Sequence, residues 1–429
     1  MQKKWMIAGA VALVAGGGMP WIVGQVTEKQ WQLATQEVNR SQPLFQLNTE
    51  DYRRGYLNSQ VHGEITLLNP ETGESRSFGY RGNITHGVTG SLLDLAPADG
   101  WQPEGADWFS GSQPSLTVET RLWGSAVMNL DVPDTRLTDP NTGEVLQSSA
   151  GRLELGVTDA GASVDASMDW PSVRLTGPQA EIEVSGVRLE QTMAHLIGDV
   201  WTGDADFSVD TVSVTPRDDE TVKVQGIAVL ASTTATDDGE RIDSTLDLSV
   251  RKAGTESASY GPHQFVVSLE NFETASWNAF SEALSSMQTA SLDPATPPQA
   301  RIEQQMMAMQ VLNKALRDLS AAGFSLSVPT LTMATPEGDI RGHLTIRHPE
   351  LSAQEKAAML MVMHRLTGEL DVSMPLALAE EYPEIRMQVA PMIKQGWLVQ
   401  DGDRLVVNAT MKDLMVNVNG QEIPLPPLL

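Results

Sequence analysis

Cysteine is absent from this 429-residue chain, so any reactive centre draws on its seven histidines, its 55 carboxylates, its hydroxyls or its amines. That removes disulfides, thiolate nucleophiles, iron–sulfur clusters and Cys-based zinc sites. The histidines are scattered: His62, His86, His195, His263, His343, His348 and His364. None is followed by glutamate, so there is no His-Glu-x-x-His zinc helix. No two lie at i, i+4 on a helix with a carboxylate companion. No lysine follows a glycine, so there is no Walker phosphate loop. Asp237-Asp238-Gly239-Glu240 and Asp401-Gly402-Asp403 hold oxygen ligands, but lack the spacing and distant bidentate glutamate of a calcium loop. They read as hairpin turns. Acid pairs such as Glu380/Glu381 are too common in so acidic a chain to mark a glycosidase dyad. The sequence therefore nominates no catalytic, cofactor-binding or metal residue, and the expectation is a protein that is not an enzyme.

The elements that would position such groups begin with an uncharged apolar run, Trp5 to Gly24, behind Lys3 and Lys4. As a helix it would span roughly 30 Å, about the hydrocarbon thickness of a bilayer. The lysines would stay on the cytoplasmic side. The alternative is a cleaved signal peptide, with Ala15-Gly16-Gly17-Gly18 as small residues a peptidase could cut. Apolar character resumes at Trp21-Ile22-Val23, and a Trp stands at each end, which favours a retained anchor. With no cysteine there is no lipoprotein site.

Whole-chain net charge is −26, and residues 25–429 carry 27 basic against 55 acidic side chains, net −28. Such a charge repels phosphate backbones and excludes nucleic-acid binding as a working idea. Its plain reading is a solvated surface; an acidic binding face is the alternative. Hydrophobic content of 41% fits an ordered body with ample core.

Residues 25–40 place Trp31, Ala34 and Val38 on one helical face, ending at Pro43. From 44 to 270 the period is two, as in Val61/Gly63/Ile65/Leu67, Leu116/Val118/Thr120/Leu122 and Leu246/Leu248/Val250. This pattern predicts antiparallel strands with one buried and one wet face. The turns Asn69-Pro70-Glu71-Thr72-Gly73-Glu74 and Asp139-Pro140-Asn141-Thr142-Gly143-Glu144 resemble each other. They indicate either a duplicated sheet module or convergence on good hairpin chemistry.

Helices follow at 276–288 and 299–322, the second with the stripe Ile302, Met306, Met309, Leu312, Leu316, Leu319. Strands return at 324–333 and 339–347, then a helix at 352–366, a strand at 370–374, a helix to 395, and closing strands at 396–400, 404–410 and 413–418. Met306, Met307 and Met309, and then Met359, Met361 and Met363, cluster in two of these helices. They either fill a core or form an adaptable apolar surface that accepts lipid tails or peptides.

Three local patterns together resemble the YdgA family of bacterial envelope proteins, a family without an assigned function. The first is the start itself, leading to Tyr52-Arg53-Arg54-Gly55-Tyr56-Leu57-Asn58-Ser59, similar to Tyr-x-Arg-Gly-x-x-x-Ser. The second is Ile84-Thr85-His86-Gly87-Val88, where the family tends to have Pro in place of Val88. The third is Gly396-Trp397-Leu398, Asp401-Gly402-Asp403 and Val416-Asn417-Val418-Asn419-Gly420. The resemblance covers essentially the whole chain and implies a single-pass inner-membrane protein with a periplasmic β-rich domain. It carries over no catalytic residue. Gly55 and Gly87 read as positions of positive φ or close approach. His86 is either a site residue or a structural side chain in a turn.

The expected architecture is α+β and β-dominated, with long curved antiparallel sheets, helices packed against one face, and a single N-terminal transmembrane helix. The expected segments are a cytoplasmic tail (1–4), a signal-anchor (5–24), a juxtamembrane helix (25–43), a strand-rich periplasmic region (44–270), a helical segment (271–322) and a C-terminal sheet–helix region (323–429). The expected partners are the bilayer through residues 5–24 and a lipid, peptide or protein of the envelope, with homo-oligomers open and no cofactor. A structural scaffold and a carboxylate-based envelope hydrolase are the competing functions.

Overall fold

The computed structural model describes residues 2–41, 45–68, 75–99, 108–109, 112–139, 142–292, 298–357 and 362–425. Side chains of residues 2–18 and 288–305 are outside that description, as are Met359, Met361 and the side chain of Met363. The chain divides into two compact units, residues 1–192 and 193–429.

The first unit opens with one helix, α1 (Gln2–Ser41), with Pro20 inside it. The apolar run and the amphipathic segment are thus a single continuous element. Among the described residues no helix is long and apolar enough to cross a membrane. Most of the apolar run lies outside the residues whose side chains are described.

An antiparallel meander follows: β1 (Phe45–Arg54), β2 (Asn58–Leu68), β3 (Ser75–His86), β4 (Gly90–Pro97), β5 (Ser115–Arg121) and β6 (Ala126–Val132). After a small hairpin of β7 (Thr135–Thr138) and β8 (Val145–Ser148), β9 (Gly151–Thr158) pairs back onto β6. The long β10 (Ser163–Thr176) pairs with β9 along its first half and β8 along its second. The period-two reading holds best in β2, where Val61 and Gly63 are buried between exposed Gln60, His62 and Glu64. Val61, Tyr80, Ile84 and Leu93 form the core of this unit.

Strand β11 (Ala180–Ile197) runs through the division at residue 192. The second unit continues with β12 (Val200–Pro216), β13 (Val222–Thr236), β14 (Arg241–Gly254), the short β15 (Ser259–Tyr260) and β16 (His263–Glu273). A helical hairpin, α2 (Thr274–Leu292) and α3 (Pro298–Ala322), leads to β17 (Phe324–Thr335) and β18 (Gly338–His348). Of the helix expected at 352–366, the described residues form α4 (Ala353–Ala357) and a short 3-10 turn, Val362–Arg365, and residues 358–361 lie outside them. Then come β19 (Thr367–Pro375), α5 (Leu376–Glu381), α6 (Pro383–Lys394), β20 (Val399–Asp401), β21 (Arg404–Lys412), β22 (Met415–Val418) and β23 (Gln421–Pro424). Strands β12-β13-β14-β16-β17-β18-β19-β21-β22-β23 pair in that order, all antiparallel. The β-dominated architecture with antiparallel sheet and helical cover stands.

The first of the two similar Pro-x-Thr-Gly turns lies outside the described residues. A closer pair emerges elsewhere. Thr158-Asp159-Ala160-Gly161 joins β9 to β10, and Thr236-Asp237-Asp238-Gly239 joins β13 to β14. Their residues take nearly the same left-handed path, φ 50°, 55° and 101° in one and 51°, 55° and 92° in the other. Asp tolerates this region because its short side chain can bond locally, and Gly has no Cβ to clash.

Helical cover is partial. The α2–α3 hairpin buries Leu319, and packs Trp277 and Phe280, against Val200, Ile242 and Phe272. Further along the same face of β14, Leu246 and Leu248 stay exposed. The stripe on α3 divides in the same way: Leu319 is buried, whereas Met306, Met307 and Met309 are each more than half exposed. These three methionines form a surface, so the core-filling reading fails for them.

Candidate functional site

The Tyr-x-Arg-Gly and His-Gly motifs meet at one place, beneath helix α1. The turn between β1 and β2 closes with the Gly55 N–H donating to the Asn58 carbonyl at 2.7 Å. A Cβ on Gly55 would stand 2.5 Å from that oxygen, so the position demands glycine by close approach rather than by positive φ. This turn starts β2 in the register that points Ser59 inward with Val61. In the neighbouring strand the His86 N–H donates to the Leu57 carbonyl at 2.8 Å, which fixes where the imidazole enters. Gly87 then donates to Gly90 at 2.8 Å and turns the chain into β4, which brings Ser91 back beside His86.

The result is a buried polar chain. Thr27 Oγ1 and Ser91 Oγ are 2.7 Å apart, Ser91 Oγ and His86 Nδ1 2.8 Å, and His86 Nε2 and Ser59 Oγ 2.7 Å. Ser59, His86, Ser91 and Thr27 are all buried, Ser59 at 1% exposure. Both ring nitrogens are thus satisfied, which matters because an unpaired buried polar group costs about 1–3 kcal/mol. Burial lowers the His86 pKa from its ordinary value, and the nearby Arg54 charge adds to this. Tyr52 borders the cluster. Burial raises its pKa and the Ser59 hydroxyl opposes that rise. Its own hydroxyl completes no well-formed hydrogen bond.

Helix α1 is the lid of this cluster. Pro20, Val23, Gly24 and Thr27 are buried on one face, and Trp31 continues the line. A Cβ on Gly24 would lie 3.0 Å from His86 Nε2, so the helix backbone rests on the imidazole. Around this contact the helix is clamped by polar bonds. Arg54 pairs with Glu28 at 2.8 Å and lies over the Trp21 ring at 5.8 Å. Trp31 Nε1 donates to Thr49 Oγ1 at 2.9 Å. The Asn39 amide accepts from Leu47 N–H at 2.7 Å and donates to Leu47 O at 2.9 Å, which extends the edge of β1 by one side chain.

A serine hydroxyl on an imidazole nitrogen is the minimal feature of a nucleophilic hydrolase. Here the second nitrogen meets Ser91 rather than a carboxylate, and α1 lies over the ring. The arrangement fastens a helix to a sheet. His86 joins the sheet to α1 in this arrangement, seated by both motifs.

Of the remaining histidines, His348 and His364 line one pocket of the second unit. His195 Nε2 bonds the Gly198 carbonyl at 2.8 Å on the surface, and the buried His348 bonds the Pro349 carbonyl at 2.8 Å and stacks on Phe324. The two Asp-Gly segments are hairpin turns, as their sequences indicate. Sequence reasoning missed Ser59, Ser91 and Thr27 as partners of His86. Ser59 shares the buried parity of Val61 and Gly63, and that signal was available.

A family model described as a bacterial protein of unknown function, DUF945, matches residues 1–426. The chain belongs to DUF945. The motif residues of the seat, from Tyr52 to Ser59 and from His86 to Ser91, all fall inside the matched span of the DUF945 chain. No curated protein and no solved structure matches it.

Proposed function

We propose that this DUF945 chain is an envelope protein of the YdgA type, tethered to the inner membrane by its N-terminal helix, with a periplasmic body that binds a lipid, peptide or envelope partner without catalysis. The tether reading is supported by the uncharged run 5–24 behind two lysines and by the continuity of α1. Residues 2–19 of the helix project roughly 27 Å beyond the docked turn at Pro20. Because the same helix is seated on His86, the body would swing little about its tether. Alkaline carbonate extraction tests this: the protein should stay with the membrane pellet, and release into the supernatant removes the tether.

The observation that carries the binding reading is the uncovered apolar part of the sheet in the second unit. Val229, Leu248, Phe265 and Leu331 lie opposite one another on four consecutive strands. Directly opposed residues share a face and form one contiguous row. Leu246 and Leu248 are about 40% exposed there, with values of 41% and 38%. Native mass spectrometry of detergent-purified protein should find a bound amphiphile or a reproducible protein companion. Finding neither sinks the binding reading.

A second reading, an assembly scaffold that includes self-association, is favoured by the exposed Met306, Met307, Met309 and Val311 on α3. Light scattering after gel filtration separates the two, since a scaffold of this kind loses its higher mass when those methionines become serine.

A further inference from the structure

In a chain with 55 acidic and 29 basic side chains, one pocket of the second unit gathers cations. It encloses about 480 Å³ and is lined by Arg347, Arg365, Lys412, His348 and His364, with Glu270 and Asp413 as the acids. The sheet register explains the gathering. Glu270 pairs with Ser325, Ser325 with Arg347, and Arg347 with Thr367. Lys412 follows Met411, the partner of Gly368, and so stands across from Thr367. Five adjacent strands therefore contribute one cross-strand row, with hydroxyls on both sides of Arg347 and a lysine at its end.

Arg365 is engaged by Glu355, whose carboxyl is held down to about 2 by bonds from Ser352 and from Arg365 itself. Arg347 and Lys412 are different. Neither side chain makes an ion pair or hydrogen bond among the described residues, and both are exposed to the pocket mouth. Two strand spacings separate their backbones by roughly 10 Å. Long side chains from those positions can close on one tetrahedral anion, the guanidinium as a fork and the ammonium as a point charge. Ser325 supplies a hydroxyl donor for a remaining oxygen, whereas the Thr367 hydroxyl already donates to the Arg347 carbonyl at 3.3 Å.

We propose that Arg347 and Lys412, with Ser325, form a site for a phosphate ester. This goes beyond the binding reading, because the row lies on the face of the sheet opposite the apolar one. The phosphate can belong to a soluble ester or to a lipid. The chain neighbours Leu326 and Ile346 point to the other face of the sheet, so changes to the row leave the apolar face intact.

The test is calorimetric titration of the full detergent-purified chain with inorganic phosphate, glycerol 3-phosphate and dihexanoyl phosphatidylglycerol. The comparison is with Arg347→Gln/Lys412→Gln, and Lys223→Gln on exposed β13 serves as the charge control. Both double-variant positions are exposed, and unchanged melting confirms folding. At least one probe should bind, and the double variant should weaken it tenfold or more while the control does not. Binding of only inorganic phosphate or glycerol 3-phosphate assigns a soluble source, and binding of only the lipid assigns a headgroup; either supports the site. No binding of any probe, or equal binding by the double variant, overturns it. Failure of the broader binding reading is seen separately, as the absence of any companion in native mass spectra.

Discussion

Two helices in this chain meet a sheet in opposite ways. In the first unit α1 lies on β1–β4 through a buried polar chain of Thr27, Ser91, His86 and Ser59, with Val23 and Gly24 pressed against the strands. In the second unit, among the described residues, α3 reaches its sheet at its C-terminal end, through Leu319 among Phe272, Trp277 and Phe324, and leaves its methionines in solvent. The first contact is directional. Hydrogen bonds and a glycine close approach admit one placement of the helix. The second is aromatic and apolar, so it stabilises without fixing the far end of the hairpin. The tether proposed for α1 would need the first kind of contact, and the interaction surface proposed for α3 would be served by the second.

The sharpest way to break this contrast is at the aromatic base. Phe272→Ala should destabilise the second unit by about 3–5 kcal/mol, the usual cost of emptying a buried aromatic site. Denaturant unfolding would check it. A change below 1 kcal/mol would mean that the α2–α3 hairpin is not held there. At the polar seat, His86→Ala strands the Ser59 and Ser91 hydroxyls and should cost about 2–3 kcal/mol. Hydrogen exchange should then rise over residues 20–31 while the second unit keeps its protection. Equal loss in both units would erase the distinction between them.

The same histidine makes the polar seat pH-dependent. Its pKa in the docked state is lowered by burial and by Arg54. Undocking therefore takes up a proton first, in the region of the ordinary value near 6.5. The seat is fully held above that pH and weakens as pH falls through it toward the depressed value. Exchange protection of residues 20–31, corrected for intrinsic rates, should fall between pH 7.5 and 5.5. The smallest expected effect on stability is at the exposed end of α3. Replacing Met306, Met307 and Met309 by serine should alter unfolding by less than about 0.5 kcal/mol, as for surface positions generally. A larger loss would show that the methionines are covered by something in the folded protein.

Much of this fold was legible in the chain. Period-two runs such as Val61/Gly63/Ile65 became strands because alternation is a local consequence of the pleat. The helices at 276–288 and 299–322 formed within two residues of their expected starts for the same kind of reason. Of the helix expected at 352–366, residues 358–361 lie outside the described residues. Ala353–Ala357 is a single short turn of α-helix, and Val362–Arg365 winds as 3-10. The methionines of α3 sat on a sound helical stripe, yet periodicity says only which residues share a face. Whether a sheet extends far enough to cover that face is decided by strands distant in sequence. The candidate site was half legible. His86, Gly87 and Gly55 stood out as motif residues, but the value of Gly55 lies in a 2.5 Å approach to Asn58 that no spacing rule reports.

Sequence alone determined the alternation of strands, the acidity of the body, the absence of cysteine chemistry and the uncharged run at the start, because each is a local or compositional property. Tertiary structure decided what those pieces do together. Residues 27, 59, 86 and 91 come from four separate elements, and their hydrogen bonds exist only once β2, β3 and β4 pair in register beneath α1. The row from Glu270 to Lys412 likewise needs five strands aligned to within one residue. Register is a collective choice of many backbone bonds, and a one-residue slip would send every one of those side chains to the other face.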